Sequence, residues 1–130
     1  MIAGSCLCKS VEFAVSGELH YGRYCHCESC RKFSGTSGAA WSTALTEGFS
    51  ITRADAEITK YQTGNGSRCF CARCGSPVFF ESSDHPGILG IPLGAIDSGA
   101  VAGPEMRVWL RSAMDWEEIN DDLPKHDTHP

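Results

Sequence analysis

Eight of the 130 residues are cysteines, and they stand in three tight clusters: Cys6-Leu7-Cys8, Cys25-His26-Cys27-Glu28-Ser29-Cys30 and Cys69-Phe70-Cys71-Ala72-Arg73-Cys74. No other feature restricts the fold as much. Four disulfides would consume every thiol, but neighbours this close cannot form relaxed bridges within a cluster. Zinc fits the spacing instead. A C-x-x-C knuckle lets both sulfurs converge on one ion, and an extended C-x-C puts two side chains on one face with Cα atoms about 6.6 Å apart. Gly75, directly after Cys74, suits the positive φ that closes a knuckle.

Spacing alone divides the ligands in two ways. Two closed four-cysteine sites use all eight thiols and predict a purely structural role. One closed site beside a three-cysteine site leaves a coordination position open, the mark of a catalytic or ligand-binding zinc.

The rest of the composition narrows the class. A chain of 130 residues with 42% hydrophobic and 21% charged residues has the size and balance of one globular domain. Its net charge of −5 argues against a nucleic-acid partner held by a basic face. No run approaches the roughly 18 apolar residues of a membrane span. Met1 to Cys6 carries neither the basic nor the apolar stretch of a secretory signal, so the expected compartment is the cytoplasm, where thiols stay reduced.

Short strands punctuated by glycine and small polar residues run through the sequence. Val11, Phe13 and Val15 alternate with Glu12 and Ala14, and further strands are expected at 20–24, 39–45, 49–52, 57–62, 78–80, 88–93 and 106–110, with a Thr63-Gly64-Asn65-Gly66 turn before the third cluster. A turn or two of helix is expected around Asp115 to Ile119, acidic at its N-terminal end. The expectation is a single domain over residues 1–120, followed by a loose polar tail over 121–130.

These residues carry a resemblance. Gly4-Ser5-Cys6-Leu7-Cys8, then Cys25-His26-Cys27-Glu28-Ser29-Cys30-Arg31-Lys32 with Gly35, then Phe70-Cys71-Ala72-Arg73-Cys74-Gly75-Ser76 resemble the glutathione-dependent formaldehyde-activating enzymes, grouped with the centromere protein V family. The likeness continues through Gly90 to Asp97 and through Trp116 with Asp122-Leu123-Pro124. It implies a mainly β fold, a small single-domain β-tent of antiparallel sheets stapled by zinc. It implies two zinc ions per chain: a structural one on Cys6, Cys8, Cys71 and Cys74, and a second on Cys25, Cys27 and Cys30 with its fourth position open. The implied activity is that of a carbon–sulfur lyase, condensing glutathione with formaldehyde to S-hydroxymethylglutathione and reversing it, with a small thiol and an aldehyde as partners.

Three positions depart from the family pattern. Lys9 stands where glycine is usual after the first C-x-C, and Arg107 stands about where histidine is frequent. Cys69 has no standard counterpart; it is either a possible extra ligand that closes the second site or a spare thiol. Arg31 and Lys32 are candidate anchors for the carboxylates of glutathione, or cations that offset a thiolate-rich site. Arg23, Arg68 and Arg73 admit the same two readings. Alternation turns His26 away from the metal into packing, and His20, His85, His126 and His129 sit in no catalytic pattern. Trp41, Trp109 and Trp116 are expected in the core. Two further readings share the motifs: a carrier that binds glutathione without turnover, and a structural zinc module for protein partners.

Overall fold

Val11, Phe13 and Val15 bury their side chains on one face of a strand, and a computed structural model describing residues 1–130 shows the chain assembled almost wholly from such strands. They are β1 (Ile2–Ser5), β2 (Val11–Val15), β3 (His20–Cys25), β4 (Ala39–Leu45), β5 (Phe49–Ala54), β6 (Ile58–Thr63), β7 (Gly66–Cys71), β8 (Pro77–Ser82), β9 (Ile88–Pro92), β10 (Ile96–Ser98) and β11 (Met106–Val108). A four-stranded sheet runs β10-β1-β2-β5 and a seven-stranded sheet runs β11-β3-β4-β9-β8-β7-β6. The pairings are antiparallel, as expected, except that β11 lies parallel to β3 and sets Val108 opposite Cys25.

The main core lies where side chains of both sheets meet. Phe13 of β2 stacks on Phe49 of β5 at 5.5 Å between ring centres, and Phe49 meets Phe79 of β8 at 5.1 Å. Val11, Val15, Val78 and Ile91 complete it. Burial of each such side chain contributes about 1.5–3 kcal/mol. A smaller cluster of Cys25, Cys30, Ala39, Trp41 and Val108 sits under the second cysteine group.

The helix expected at Asp115–Ile119 does not form. Trp116 is 66% exposed, so that segment has no buried apolar face to fold onto, and helices this short are unstable without one. The one α-helix is α1 (Glu28–Ser34), inside the middle cysteine cluster. The Cys27 sulfur caps its first turn, and Gly35 ends it in the left-handed conformation, φ 64°, donating its N–H to the Arg31 carbonyl. The third cysteine cluster lies partly on a strand, β7, that Gly66-Ser67-Arg68 had not revealed as one. Residues 121–130, expected to be loose, are laid beside β11 instead. The Arg107 N–H donates to Pro124 O, His126 N–H to Arg107 O, and Trp109 N–H to Thr128 O. Arg107 Nη2 also pairs with Asp121 Oδ2 at 2.7 Å. No helix is long and apolar enough to cross a membrane.

Candidate metal centres

The end of β1, the β7–β8 turn and their cysteines meet where the two sheets join. Cys6, Cys8, Cys71 and Cys74 bring their sulfurs within 4.8 Å of one another. Cys6 and Cys8 are 3.7 Å apart and Cys8 and Cys71 3.9 Å. Two ligands held at about 2.3 Å in a tetrahedron stand about 3.8 Å apart, so this group could hold a zinc ion, and four soft thiolates are the donor set that zinc favours. The chain bends to allow it. Gly75, at φ 78°, donates its N–H to Cys71 O at 2.8 Å, and backbone N–H groups of Val11 and Arg73 donate to the Cys6 and Cys71 sulfurs at 3.3 and 3.4 Å. Lys9 takes the left-handed conformation, φ 66°, which explains why glycine suits this position. Its Nζ donates to Ser5 Oγ at 3.0 Å and pairs with Asp97.

Within this group burial pushes Cys6 up to about 11. Cys74 comes down to about 5, because hydrogen bonds from Ser76 and Cys8 outweigh the burial that raises it.

The second group forms where β3 runs into α1. Cys25, Cys27 and Cys30 hold their sulfurs within 4.8 Å of one another. Hydrogen bonds from the Cys25 and Cys30 thiols bring Cys27 down to about 2, while the same bond to Cys27 raises Cys25. The Cys30 N–H donates to Cys27 Sγ at 3.4 Å. Cys69 belongs to neither group. It is fully buried on β7, and its thiol donates to Ser67 O and Glu81 Oε1 at 3.8 and 3.6 Å.

The three sulfur-bearing residues of the second group line a cavity of about 250 Å³ with Arg23, Arg68 and Trp109. Arg68 is 7% exposed. Its guanidinium lies between the rings of Phe33 and Phe80, at 5.4 and 5.1 Å. Its Nη2 reaches Cys30 Sγ at 3.7 Å, and its Nε has no hydrogen-bond partner. Arg23 donates to Tyr21 O at 3.0 Å. A larger cavity of about 560 Å³ shares Trp41 with this one, but it reaches only Cys6 among the cysteines, and Cys6 is buried. The smaller cavity is therefore the one where thiols meet a ligand-sized space.

The residues first expected as anchors lie elsewhere. Arg31 donates to His26 O and Met114 Sδ, and Lys32 pairs with Glu28 one helical turn away; neither lines the cavity. His26 is fully buried, as its alternation suggested. Its ring lies against Gly38, where a Cβ would come within 2.7 Å of Cε1, and its Nε2 accepts from Arg107 Nη1 at 3.1 Å. Burial, then Arg107, hold its imidazole below the ordinary range. Arg107, the residue standing near the family's histidine, also covers the Tyr24 ring at 4.4 Å. Of the tryptophans, Trp41 is core, Trp109 lines the cavity and Trp116 is exposed. A signal for Arg23 was present in the sequence, since it sits two residues before Cys25 on β3 and shares its face. Arg68 carried one too, standing directly before Cys69; His129 had none, because it reaches the site from a distant element.

A family model described as glutathione-dependent formaldehyde-activating enzyme matches residues 1–112. A Halomonas elongata protein that bears the same name provisionally is 30% identical over 127 residues, covering 92% of this chain and 81% of its own length. An uncharacterized lyase of Schizosaccharomyces pombe is 31% identical over 78 residues, 59% of this chain and 55% of its own. The crystal structure of a Rhodobacter sphaeroides protein shares the fold with a TM-score of 0.63 at 24% identity, covering 75% of this chain and 90% of that one.

Proposed function

The chain belongs to the glutathione-dependent formaldehyde-activating enzyme family, and on that premise we propose that it is a zinc-dependent carbon–sulfur lyase and synthase. It joins glutathione, or a similar thiol, to formaldehyde as S-hydroxymethylglutathione and runs the reverse. In this reading Cys6, Cys8, Cys71 and Cys74 hold a structural zinc. Cys25, Cys27 and Cys30, which line the cavity, would hold a second. A zinc ion held there would ionise a thiol at neutral pH and keep its sulfur in place; a free thiol, with a pKa of about 8.5, is mostly protonated.

The observation that carries the reading is that the second group has three cysteines and opens on a cavity bearing two arginines. Cys69 keeps to Ser67 and Glu81, so the chain supplies no eighth thiol to close that site. The residues themselves bind and orient. Arg68, with an Nε left over, and Arg23 offer charge-assisted contacts to the substrate's carboxylates, the role first expected of Arg31 and Lys32. The rings of Phe80 and Trp109 line the space beside the three cysteines. When the thiolate adds to the aldehyde carbon, the sulfur–carbon bond forms, the carbonyl π pair moves to oxygen, and that oxygen takes up a proton. A reducing compartment, the cytoplasm, would keep all eight thiols available for this arrangement.

Native mass spectrometry of freshly purified protein, with and without glutathione, tests the reading. Two zinc ions and a glutathione adduct that disappears in Cys27→Ser support it, and acceleration of the formaldehyde reaction above its spontaneous rate then separates an enzyme from a carrier. Two zinc ions with no adduct at millimolar glutathione overturn it in favour of a structural module.

A further inference from the structure

Beside the cavity, two residues other than glycine adopt the left-handed conformation, Tyr21 at φ 56° and Trp109 at φ 60°. Bulky residues rarely enter that region, and where they do the surroundings must hold them there. Both of these meet the same side chain. The Tyr21 hydroxyl lies 2.9 Å from His129 Nδ1, and the Trp109 ring meets the His129 ring edge-on at 5.7 Å. His129 in turn lines the 250 Å³ cavity with the three cysteines. It also lines an adjoining cavity of about 430 Å³ that shares Arg23, Asn65 and Phe80.

The backbone brings His129 there firmly. Residues 124–128 are hydrogen-bonded to Arg107, Trp109, Leu110 and Arg111, and the bond from Trp109 N–H to Thr128 O falls on the residue just before His129. Strained positions and a fastened strap thus converge on one imidazole. No hydrogen bond within the chain engages its Nε2.

The geometry points to His129 as a catalytic residue of the thiol–aldehyde reaction, its Nε2–H donating to the aldehyde oxygen as the thiolate adds to the carbon. This rests on the function proposed above. In this arrangement the Tyr21 hydroxyl, 2.9 Å from Nδ1, is the donor, and the ring proton lies on Nε2, where the oxygen develops negative charge. The sulfur electron pair forms the new bond and the carbonyl π pair moves onto oxygen. Nε2–H holds its hydrogen bond on that oxygen, which takes its proton from the water that received the thiol's. Desolvation, then the Arg23 charge, lowers the His129 pKa against the opposing pull of Cys27, with His85 adding to Arg23, which favours the neutral ring. In the reverse direction the hydroxyl gives its proton to water, and Nε2–H donates to the oxyanion as the sulfur–carbon bond breaks.

The test uses the zinc-loaded full chain. Exchange NMR between glutathione and S-hydroxymethylglutathione gives kcat and KM, and long-range ¹H–¹⁵N spectra give the His129 tautomer. The expected result is an Nε2–H tautomer in the wild type. His129→Gln should lower kcat at least about tenfold, the lower edge of what one positioned donor contributes. KM for glutathione, zinc content and the glutathione adduct should stay within twofold. Tyr21→Phe should shift the tautomer towards Nδ1–H and lower kcat with KM held. An unchanged kcat in His129→Gln with the adduct intact, or an Nδ1–H tautomer in the wild type, overturns the role of His129 alone. A wild type with no adduct and no acceleration overturns the proposed function, and this inference with it.

Discussion

Arg68 Nη2 lies 3.7 Å from the Cys30 sulfur across 38 residues of sequence. It joins β7 to the start of α1 and sets a buried cation against the three-cysteine group. Thiolates gathered in a low-dielectric place repel one another, and a fixed guanidinium offsets that repulsion. The same cation, with Nε unpaired, has donor capacity to spare for an anionic ligand.

Replacing Arg68 should therefore separate binding from metal content. Arg68→Met keeps much of the volume between Phe33 and Phe80 and removes the charge. Glutathione affinity measured by calorimetry should fall about tenfold, equivalent to about 1.4 kcal/mol, with zinc stoichiometry unchanged. Arg68→Lys should recover only part of it, since an ammonium lacks the planar fork. Unaltered affinity in Arg68→Met would place the carboxylate contacts elsewhere.

The two cysteine groups should fail differently. Cys6, Cys8, Cys71 and Cys74 tie the end of β1 to the β7–β8 turn, and structural zinc contributes folding free energy directly. Cys74→Ser should lower the Tm by about 10 °C or more, a loss of a few kcal/mol, as should chelation of that zinc. Cys27→Ser should lose one zinc and the glutathione adduct while its circular dichroism stays native. Global unfolding of Cys27→Ser would sink the division into a structural and a working site.

Cys69 offers a test through alkali. Burial, then the Glu81 charge, push its thiol up to about 12 from an ordinary 9.0. Below pH 9 the thiol is protonated in both the folded and unfolded chain, so its contribution to stability is complete. Between about 9 and 12 only the unfolded chain ionises, and stability falls as pH rises. Urea midpoints of the wild type should drop more from pH 8 to pH 10.5 than those of Cys69→Ala. Cys69→Ser should keep both zinc ions and the glutathione adduct; loss of either makes Cys69 a ligand after all.

Asp121 anchors the strap that carries His129. Hydrogen bonding from Arg107 brings its carboxyl down to about 2 from 3.8. The ion pair therefore stabilises the fold above pH 3.8 and loses its effect as pH falls through about 2. Asp121→Asn removes that pair at neutral pH. Amide exchange at Trp109, Leu110 and Arg111, whose N–H groups donate to residues 126–128, should quicken several-fold while β2 and β4 stay protected. Unchanged exchange there would mean that the backbone bonds hold the strap unaided.

Much of the architecture was legible because it rests on local rules. The Val11/Phe13/Val15 alternation marked β2, and Ala39–Leu45 was read to its ends. Where the local signal was weak, tertiary contacts decided. β1 and β10 are short, and they exist because they pair with each other beside β2. Acidic residues around Asp115 suggested a helix, but a helix needs a face to bury, and Trp116 finds none.

What the sequence determined by itself was the β class and the cysteine clusters that could hold metal ions. Both follow from spacing: sulfurs two or three residues apart can face one ion, and period-two alternation marks a strand, whereas the meeting of Cys6 and Cys8 with Cys71 and Cys74 is tertiary. Which side chains surround the three-cysteine group was decided only by the tertiary structure. Arg68 comes from β7, Trp109 from the end of β11, and His129 from a segment whose composition suggested a loose tail. Their meeting depends on the parallel pairing of β11 with β3 and on backbone bonds between residues far apart in the chain. Such contacts leave no periodicity or spacing in the sequence, since each residue's local surroundings are ordinary and only the closed sheet brings them to the same cavity.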